Sequence, residues 1–382
     1  MGQFTEHYVA QASSVAGEVL AKHAADVDRQ ARWPAESLAA LAQSGLLGLT
    51  VPAAYGGAAQ GPRTFAAVLS TLAEQCASTG MIYLMHVCGT QTIASATAFT
   101  QHDDVLQAIA AGRHLSTLAF SEKGSRSHFW APVSQAKVVG DVHTITADKS
   151  WVTSAGHADS YVVSTRAADA TELTASTLYF VPKGAPGFTV AGQWSGLGLR
   201  GNASTPMKLE NVSVRTSDRV SGDGEGFGVM LNTVLPWFQL GCSAVAIGIA
   251  RSAVNGVRNH LAEAKLEHLG QSLADLPNLR AELARMQIIT DTQSAFLNHV
   301  AGKIESPQPD TMLAVLESKA AATEAALDVT DRAMRACGGT AFSGRLPVER
   351  NFRDARAGSV MAPTTDVLYD FIGKALLGMP LF

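Results

Sequence analysis

Hydroxyl groups stand next to a phenylalanine in the segment LAFSEKGSRSH, residues 118–128. Its apolar start is typical of a strand, and the Gly/Ser-rich turn that follows carries Ser121, Ser125 and Ser127. Such a turn can offer hydroxyls and backbone N–H groups to a phosphate or an amide. An ordinary turn without a ligand is the commoner explanation, so this segment alone leaves both interpretations open.

The segment KSWVTSAG, residues 149–156, carries an indole and a hydroxyl at strand spacing. Trp151 and Thr153 are two residues apart and therefore share one face of a predicted strand. A tryptophan can stack on a planar ring while a threonine bonds the edge of that ring. A tryptophan in the core of a β-sandwich is the commoner alternative.

The segment MAPTTD, residues 361–366, directly precedes a predicted helix. From Asp366 the apolar residues recur at helical spacing until Gly378. Pro363 and the hydroxyl of Thr364 stand where this helix begins, which suits a capping device. The same helix start can also present backbone N–H groups to an anion.

A fourth segment, residues 337–357, interrupts a predicted helix with Gly338 and Gly339. Adjacent glycines suit the close approach of a backbone or a ligand. The charged residues that follow most simply form an ion-pair network. They are Glu349, Arg350, Arg353, Asp354 and Arg356.

The elements that must position these segments follow from the hydrophobic period. The period is helical from about residue 5 to 115 and again from about 225, with long runs at 242–261, 279–300 and 312–336. Between them, short runs rich in Val, Thr, Ile and Tyr follow a period of two and predict a small antiparallel β domain. These runs are HTITADKSWVTSA, SYVVSTRAA, STLYFVPK, GFTVAG and MKLENVSV.

This order predicts an α+β fold with a β module between two helical parts. We expect an N-terminal helical domain at 1–115, a middle β domain at 116–222 and a C-terminal helical bundle at 223–382.

Bulk composition limits the classes of partner. The 382 residues are 47% hydrophobic and carry a net charge of −4, which argues against nucleic acid and favours small molecules. The four cysteines have no CxxC spacing, so buried thiols are expected, with no disulfide framework or metal site. There is no apolar run of membrane-spanning length and no signal-peptide pattern, so we expect a cytoplasmic protein with no membrane partner.

Five segments, in this order, resemble the signatures of the acyl-CoA dehydrogenase family over essentially the whole chain. They are GLLGLTVPAAYGG (45–57), LAFSEKGSRS (118–127), KSWVTSAGHADSYVV (149–163), LGLRGNAS (197–204) and CGGTAFSGRLPVERNFRDAR (337–356). The resemblance implies a helical domain, an antiparallel β domain and a four-helix bundle. It implies FAD held between the β domain, the bundle and a neighbouring subunit, and hence a homodimer or homotetramer. It also implies an acyl thioester substrate, linked to CoA or a carrier protein, with an electron-transfer flavoprotein or O₂ as acceptor.

The resemblance also implies roles for single residues. Phe120 and Ser121 would face the edge of the flavin ring, and Trp151 and Thr153 would lie against it. The remaining contacts would be made to the phosphates, the pantetheine arm or the adenosine half of FAD, by Ser127, Gly339, Thr364 and Asp366.

The chain departs from the family pattern where the chemistry is expected. The Glu that removes the α proton of the acyl group in many members is replaced by Ala362. Other members take their base from the first helix of the bundle, where this chain has Trp237, Phe238 and Gln239, none of which is a base at neutral pH. We expect these three residues to contact the substrate, and the bulk of Trp237, Phe238 and Trp130 indicates a short or flat acyl group.

None of the other titratable residues near these segments is a strong candidate for the catalytic base. Glu122 stands where the family also has Glu, so a structural role is expected, and neither His128 nor Asp366 is a strong candidate. A cofactor contact is changed as well, because Leu266 stands where the family commonly has an Arg that reaches the FAD pyrophosphate of the partner subunit. We hypothesise that Arg335 supplies the lost positive charge, aided by Lys265.

Two hypotheses remain open from the sequence. The first is an FAD-dependent oxidoreductase on an acyl thioester with non-standard chemistry, including non-oxidative removal of a group such as sulfinate, or an oxygenation. The second is a non-catalytic flavin-binding or nucleotide-free partner subunit. The retained Trp151 and Thr153 favour the first hypothesis, while Ala362 and Leu266 favour the second.

Overall fold

The computed structural model describes residues 3–125, 128–172 and 174–381. Its first part is helical. A π-helical turn at Ala16–Leu20 joins the first two of these helices. The helices are α1 (Gln3–Val15), α2 (Ala21–Gln30), α3 (Ala35–Gln43), α4 (Pro62–Gln75), α5 (Ala77–Ala94) and α6 (His102–Ala110).

The middle of the chain forms two sheets. Their strands are β1 (Ser116–Ala119), β2 (Lys137–Val139), β3 (Val142–Val152), β4 (Ser160–Arg166), β5 (Ser176–Pro182), β6 (Phe188–Val190) and β7 (Thr205–Arg215). One sheet has the order β1-β4-β5 and the other β2-β3-β7-β6. The predicted antiparallel β domain is confirmed apart from one pair, because β1 and β4 run parallel. The long connection between them, which contains β2 and β3, makes a parallel pair feasible.

The last part of the chain returns to helices. They are α7 (Gly226–Val229), α8 (Leu235–Glu263), α9 (Pro277–Glu305), α10 (Thr311–Phe342), α11 (Pro347–Val360) and α12 (Thr365–Leu376), with a short hairpin of β8 (Lys265–Leu266) and β9 (Gln271–Ser272) after α8. Helices α8, α9, α10 and α11 form the bundle, and α12 packs on α10. The three long helical runs predicted from the sequence are confirmed. The domain bounds 1–115, 116–222 and 223–382 stay a prediction.

Helix α8 is the centre of the molecule. It packs against α4 and α5 of the N-terminal part and against α9, α10 and α11 of the C-terminal part. The approach to α4 requires a glycine, because a Cβ at Gly248 would lie 2.6 Å from the backbone oxygen of Ser70. The continuous helical stretch Gly226–Glu263 is long and apolar enough to span a membrane by composition, yet 78% of its most apolar window is buried inside the protein. Such burial is typical of a core helix.

Two sequence predictions about local features are confirmed. All four cysteines are buried free thiols. The helix that contains the glycine pair is interrupted at Gly338, which has φ 54° and ψ −137°. This left-handed φ is readily adopted by glycine and rarely by other residues.

Candidate functional site

A large cavity of about 700 Å³ lies where the three parts of the chain meet. Its size falls within the range of small-molecule sites. The walls come from α5, the ends of β1 and β3, the loop before β7, α8, α11 and the turn after α11. The aromatic residues among its described lining are Phe120, Phe129, Trp151, Trp194 and Phe238.

Trp151 lies on the wall of this cavity, so the alternative of a buried sandwich-core tryptophan is wrong. The pairing of β3 with β7 is irregular between Lys149 and Val152, and Trp151 has a φ of 56°. This irregularity turns the indole out of the sheet, and the residue is 66% exposed. Its ring meets that of Trp194 edge-on, with centroids 6.0 Å apart.

The backbone around Trp151 is strained at several non-glycine positions. Trp151, Ser154, Leu199 and Ala203 all have positive φ, at 56°, 64°, 50° and 50° respectively. Trp151 and Leu199 line the cavity. Strain of this kind costs roughly 1–3 kcal/mol per residue and concentrates at functional sites. Two of these four residues line the cavity, and the other two lie within four residues of them in the sequence, which supports this cavity as the candidate site.

Thr153 follows Trp151 and lines the same cavity. Its hydroxyl lies 2.9 Å from that of Ser204, and its carbonyl accepts a hydrogen bond from Thr117 Oγ1 at 3.0 Å. These bonds fix the end of β3 to its neighbours. The hydroxyls of Thr153 and Ser204 thereby form a polar pair in the cavity wall that contains the indole.

Phe120 and Ser121 line the cavity because a buried ion pair fixes the loop behind them. The Nζ of Lys149 lies 2.6 Å from Glu122 Oε1, and the other carboxylate oxygen accepts bonds at 2.7 Å from the N–H groups of Val133 and Ser134. Burial by itself would raise the pKa of Glu122, but the charge of Lys149 and its hydrogen bonds outweigh burial and lower it. With both carboxylate oxygens occupied, Glu122 has the structural role that we expected.

Asp354 joins helix α11, which forms part of the cavity wall, to the loop before β7. Its carboxylate accepts a hydrogen bond from the N–H of Leu199 at 2.6 Å, and burial raises the pKa of Asp354 to about 6. Next to this bond, a Cβ at Gly198 would lie 2.5 Å from the backbone oxygen of Arg353. The loop and the helix therefore touch through a position that must be glycine. The predicted ion-pair network is real for Arg353, whose guanidinium binds Asp28 and Glu349.

The turn after α11 supplies Met361 and Ala362 to the cavity. Behind it, the buried Lys319 of α10 donates hydrogen bonds to the backbone oxygens of Met361 and Pro363, at 2.8 and 2.6 Å. Lys319 was not among the site residues predicted from the sequence. The available signal was a lysine on the otherwise apolar face of α10 that includes Val315 and Ala322.

The charge of the cavity wall is unusual for a site expected to remove a proton. Among the described lining residues, the ionisable side chains are Arg353 and Arg356 alone. An arginine is protonated at all relevant pH values and cannot act as a base. Arg356 has its guanidinium carbon 4.1 Å from the centre of the Phe352 ring.

The three residues of α8 that were predicted to contact the substrate have side chains in different surroundings in the structure. Phe238 lines the cavity. Trp237 packs against Phe65, with ring centroids 5.3 Å apart, and Gln239 is fully buried with neither amide atom hydrogen-bonded. Successive residues of a helix point about 100° apart, so the three cannot share one face. Trp130 also lies outside the described lining, against Phe371.

The residues predicted to bind the nucleotide half of FAD lie outside the described lining of the cavity. Arg335 is on the surface of α10, with its side chain 81% exposed and paired with Asp331. Gly339 is exposed, four residues farther along the same helix. Thr364 caps α12 by accepting a hydrogen bond from the N–H of Val367, which confirms the predicted cap. Asp366 is an exposed residue in the first turn of α12, and Ser127 is outside the described residues.

Comparison with known proteins assigns the chain to a family. Three models match in order: the acyl-CoA dehydrogenase N-terminal domain at residues 5–113, its middle domain at 117–212 and its C-terminal domain at 224–377. The chain belongs to the acyl-CoA dehydrogenase family, as the sequence motifs predicted. Its curated homologues are oxidoreductases of this family.

Individual proteins resemble the chain over nearly its full length. A probable acyl-CoA dehydrogenase of Mycobacterium tuberculosis, FadE25, is 28% identical over 365 residues, which are 95% of this chain and 93% of that protein. Butyryl-CoA dehydrogenase from Megasphaera elsdenii superimposes with a TM-score of 0.93 at 21% identity, covering 99% of each chain. The FAD complex of PigA gives a TM-score of 0.90 at 17% identity, covering 99% of this chain and 98% of PigA. These two structures establish the fold, which is the one that the resemblance implied.

Proposed function

We propose that this protein is an FAD-dependent enzyme that acts on an acyl thioester, linked to CoA or a carrier protein, without a carboxylate base. One observation carries the proposal: the cavity has a strained, aromatic wall, and its described lining contains no carboxylate, histidine, cysteine or lysine.

The cavity fits the cofactor that the family implies. A flat ring system needs a broad apolar slot with a few polar groups at its edge. The exposed face of Trp151 supplies a stacking surface, and the hydroxyls of Thr153 and Ser121 supply polar groups beside it. When bound, FAD would supply an isoalloxazine ring able to accept a hydride from a substrate.

The chain's own residues would then have distinct tasks. Trp151 would stack on the ring, Thr153 would hydrogen-bond its edge, and Phe120 and Ser121 would close the substrate side. Phe238 would limit the acyl chain to a short or flat group. Its bulk occupies the wall from which the bundle helix would otherwise present an acid.

The nucleotide half of FAD would extend beyond this cavity toward a second copy of the chain. Arg335, Gly339, Thr364, Asp366 and Ser127 are our proposed contacts to it. The exposure of Arg335 and Gly339 suits a contact between copies, because an exposed residue of one copy is available to a cofactor held by the other.

The missing base determines the type of reaction. A positioned general base contributes roughly 10²- to 10⁴-fold to a rate. Neither Ala362 nor either arginine can accept the α proton. We therefore propose a step that does not begin with α-proton removal by this chain, either a non-oxidative cleavage of an acyl substituent or an oxygenation that consumes O₂ and two electrons from an external reductant.

The test starts from the visible spectrum of the purified protein, followed by anaerobic addition of a panel of acyl-CoA thioesters. If the reaction is non-oxidative, we expect a bound flavin that remains oxidised while a thioester is consumed. If it is an oxygenation, we expect a thioester to be consumed only after the flavin has been reduced by an added two-electron donor, such as a reduced nicotinamide, and O₂ has been admitted. Bleaching of the flavin by a simple saturated thioester would instead indicate ordinary dehydrogenation. Purification without flavin, even after reconstitution with FAD, would favour the alternative of a non-catalytic partner subunit.

Restoring the carboxylate tests the role of position 362 directly. We expect Ala362→Glu to gain dehydrogenase activity on a short-chain acyl-CoA. Ala362→Gln is the matched control because it has nearly the same volume and cannot accept a proton. Equal dehydrogenase activity in the two variants would refute the assignment of position 362 as the place where the catalytic base is missing.

A further inference from the structure

Lys319 occupies an unusual place behind the cavity wall. Its side chain is fully buried in α10. Its Nζ donates to the backbone oxygens of Met361 and Pro363 at 2.8 and 2.6 Å. These two residues flank Ala362, which lines the cavity, so the ammonium group lies directly behind that part of the wall.

This ammonium group lacks a negative counter-charge in the described structure. No described carboxylate lies within 4.0 Å of it. The titratable group that acts on it is Cys242 of α8, and burial raises the pKa of that thiol to about 11, so the thiol is neutral at pH 7. Burial lowers the pKa of Lys319 to about 8, which leaves it mostly charged at pH 7.

A buried charge is normally paired, because leaving water costs several kcal/mol per ion. Here two carbonyl dipoles offset part of that cost. The nearby cavity wall adds no negative charge, since its described ionisable residues are arginines. The residue at position 362, between these two carbonyl groups, is alanine and adds no charge of its own.

We propose that Lys319 is a positioning residue that holds the turn at Ala362 and makes this end of the cavity electropositive, so that a negative group on the acyl part of the substrate supplies the counter-charge. The favoured substrate is an acyl thioester that carries a second anionic group, such as a carboxylate or sulfinate. This inference rests on the proposed function for the thioester, but the positive potential is independent of it.

The potential can be measured without any enzyme activity. A thiol introduced by Ala362→Cys reports its own pKa through the pH dependence of its alkylation by iodoacetamide, and the four native cysteines are buried. A unit charge roughly 6 Å away at an effective dielectric constant of about 20 shifts a pKa by about 2 units. We expect the thiol pKa to rise by about 1 to 2 units when Lys319→Met is added.

Two further variants separate charge from geometry. Lys319→Gln can still donate to a carbonyl but has no charge, so it should raise the thiol pKa as much as Lys319→Met. It also serves as the test if Lys319→Met does not fold. Leu197→Cys, on the part of the cavity wall formed by the loop before β7, is the control and should be less sensitive to both. An unchanged pKa at position 362 in a folded Lys319→Gln protein would overturn the proposal.

The substrate part is tested by binding of succinyl-CoA and butyryl-CoA, measured by calorimetry. We expect the wild-type protein to prefer succinyl-CoA by about tenfold or more, and Lys319→Gln to lose this preference while still binding butyryl-CoA. An equal affinity in the wild-type protein would refute the substrate assignment. Binding of neither thioester, with the thiol shift intact, would refute the proposed function and leave the electropositive wall established.

Discussion

Removal of Lys149 is the sharpest test of how the cavity is held in place. Lys149 and Glu122 are 0% and 3% exposed and lie 2.6 Å apart, and the lysine also donates to the backbone oxygens of Ser164 and Phe120. Lys149→Met leaves the Glu122 carboxylate buried without its cation. Breaking a buried pair in this way costs about 3–5 kcal/mol. We expect a loss of that size in the free energy of unfolding at pH 7.

A second substitution should restore part of this loss. Adding Glu122→Gln to Lys149→Met removes the unpaired charge but keeps an oxygen that can accept from the N–H groups of Val133 and Ser134. The double variant should therefore be more stable than Lys149→Met alone, by roughly 1–3 kcal/mol.

The two proteins should also respond to acid in opposite directions. In the wild-type protein the pKa of Glu122 is below its ordinary value, so its stabilisation is present above about pH 4.5 and is lost as pH falls through the folded-state pKa. Without Lys149, burial should raise the pKa of Glu122 above its ordinary value. Acid then stabilises the variant, and the difference from wild type should shrink between pH 7 and 4.

Urea unfolding followed by tryptophan fluorescence measures these effects, with flavin retention as a second readout because Phe120 and Ser121 lie next to the ion pair. A loss below about 1 kcal/mol for Lys149→Met would refute the reasoning, since that is the value of an exposed pair. If adding Glu122→Gln to Lys149→Met lowered the free energy of unfolding further, that result would also refute the reasoning.

Three other substitutions have expected outcomes. Thr364→Ala removes the cap of α12 and should cost about 1 kcal/mol in unfolding free energy, seen as a lower melting temperature; no change would show that the cap is redundant. Burial raises the pKa of Asp354 to about 6, so wild-type stability should fall as pH rises from about 4 through 6. That slope should be absent in Asp354→Asn, whose side-chain oxygen can still accept from Leu199, and an unchanged slope would assign the titration elsewhere. Arg335→Ala should weaken FAD retention, with Arg335→Lys retaining more; unchanged retention would leave Arg335 as a surface partner of Asp331.

The sequence by itself determined the elements that depend on local periodicity and local chemistry. The long helices α8, α9 and α10 and the five predicted strands of the β domain are present, because an apolar residue every 3.6 or 2 positions is buried by only one backbone conformation. The cap at Thr364 is equally local, since donor and acceptor are three residues apart. The order of five short motifs was sufficient to identify the family, and Ala362 was visible as a departure from it.

The tertiary structure alone decided which residues meet. The irregular pairing of β3 turned Trp151 toward the cavity, where sequence alternation allowed a core position as well. The rotation of α8 placed Phe238 in the wall and directed Trp237 and Gln239 elsewhere, because neighbouring helical residues point in different directions. The hydrogen bonds from Lys319 to the backbone of Met361 and Pro363 join residues more than forty positions apart, so no local sequence pattern predicts them. For the same reason, the lack of a carboxylate anywhere in the described lining is a property of the folded chain, which the replacement at Ala362 alone did not establish.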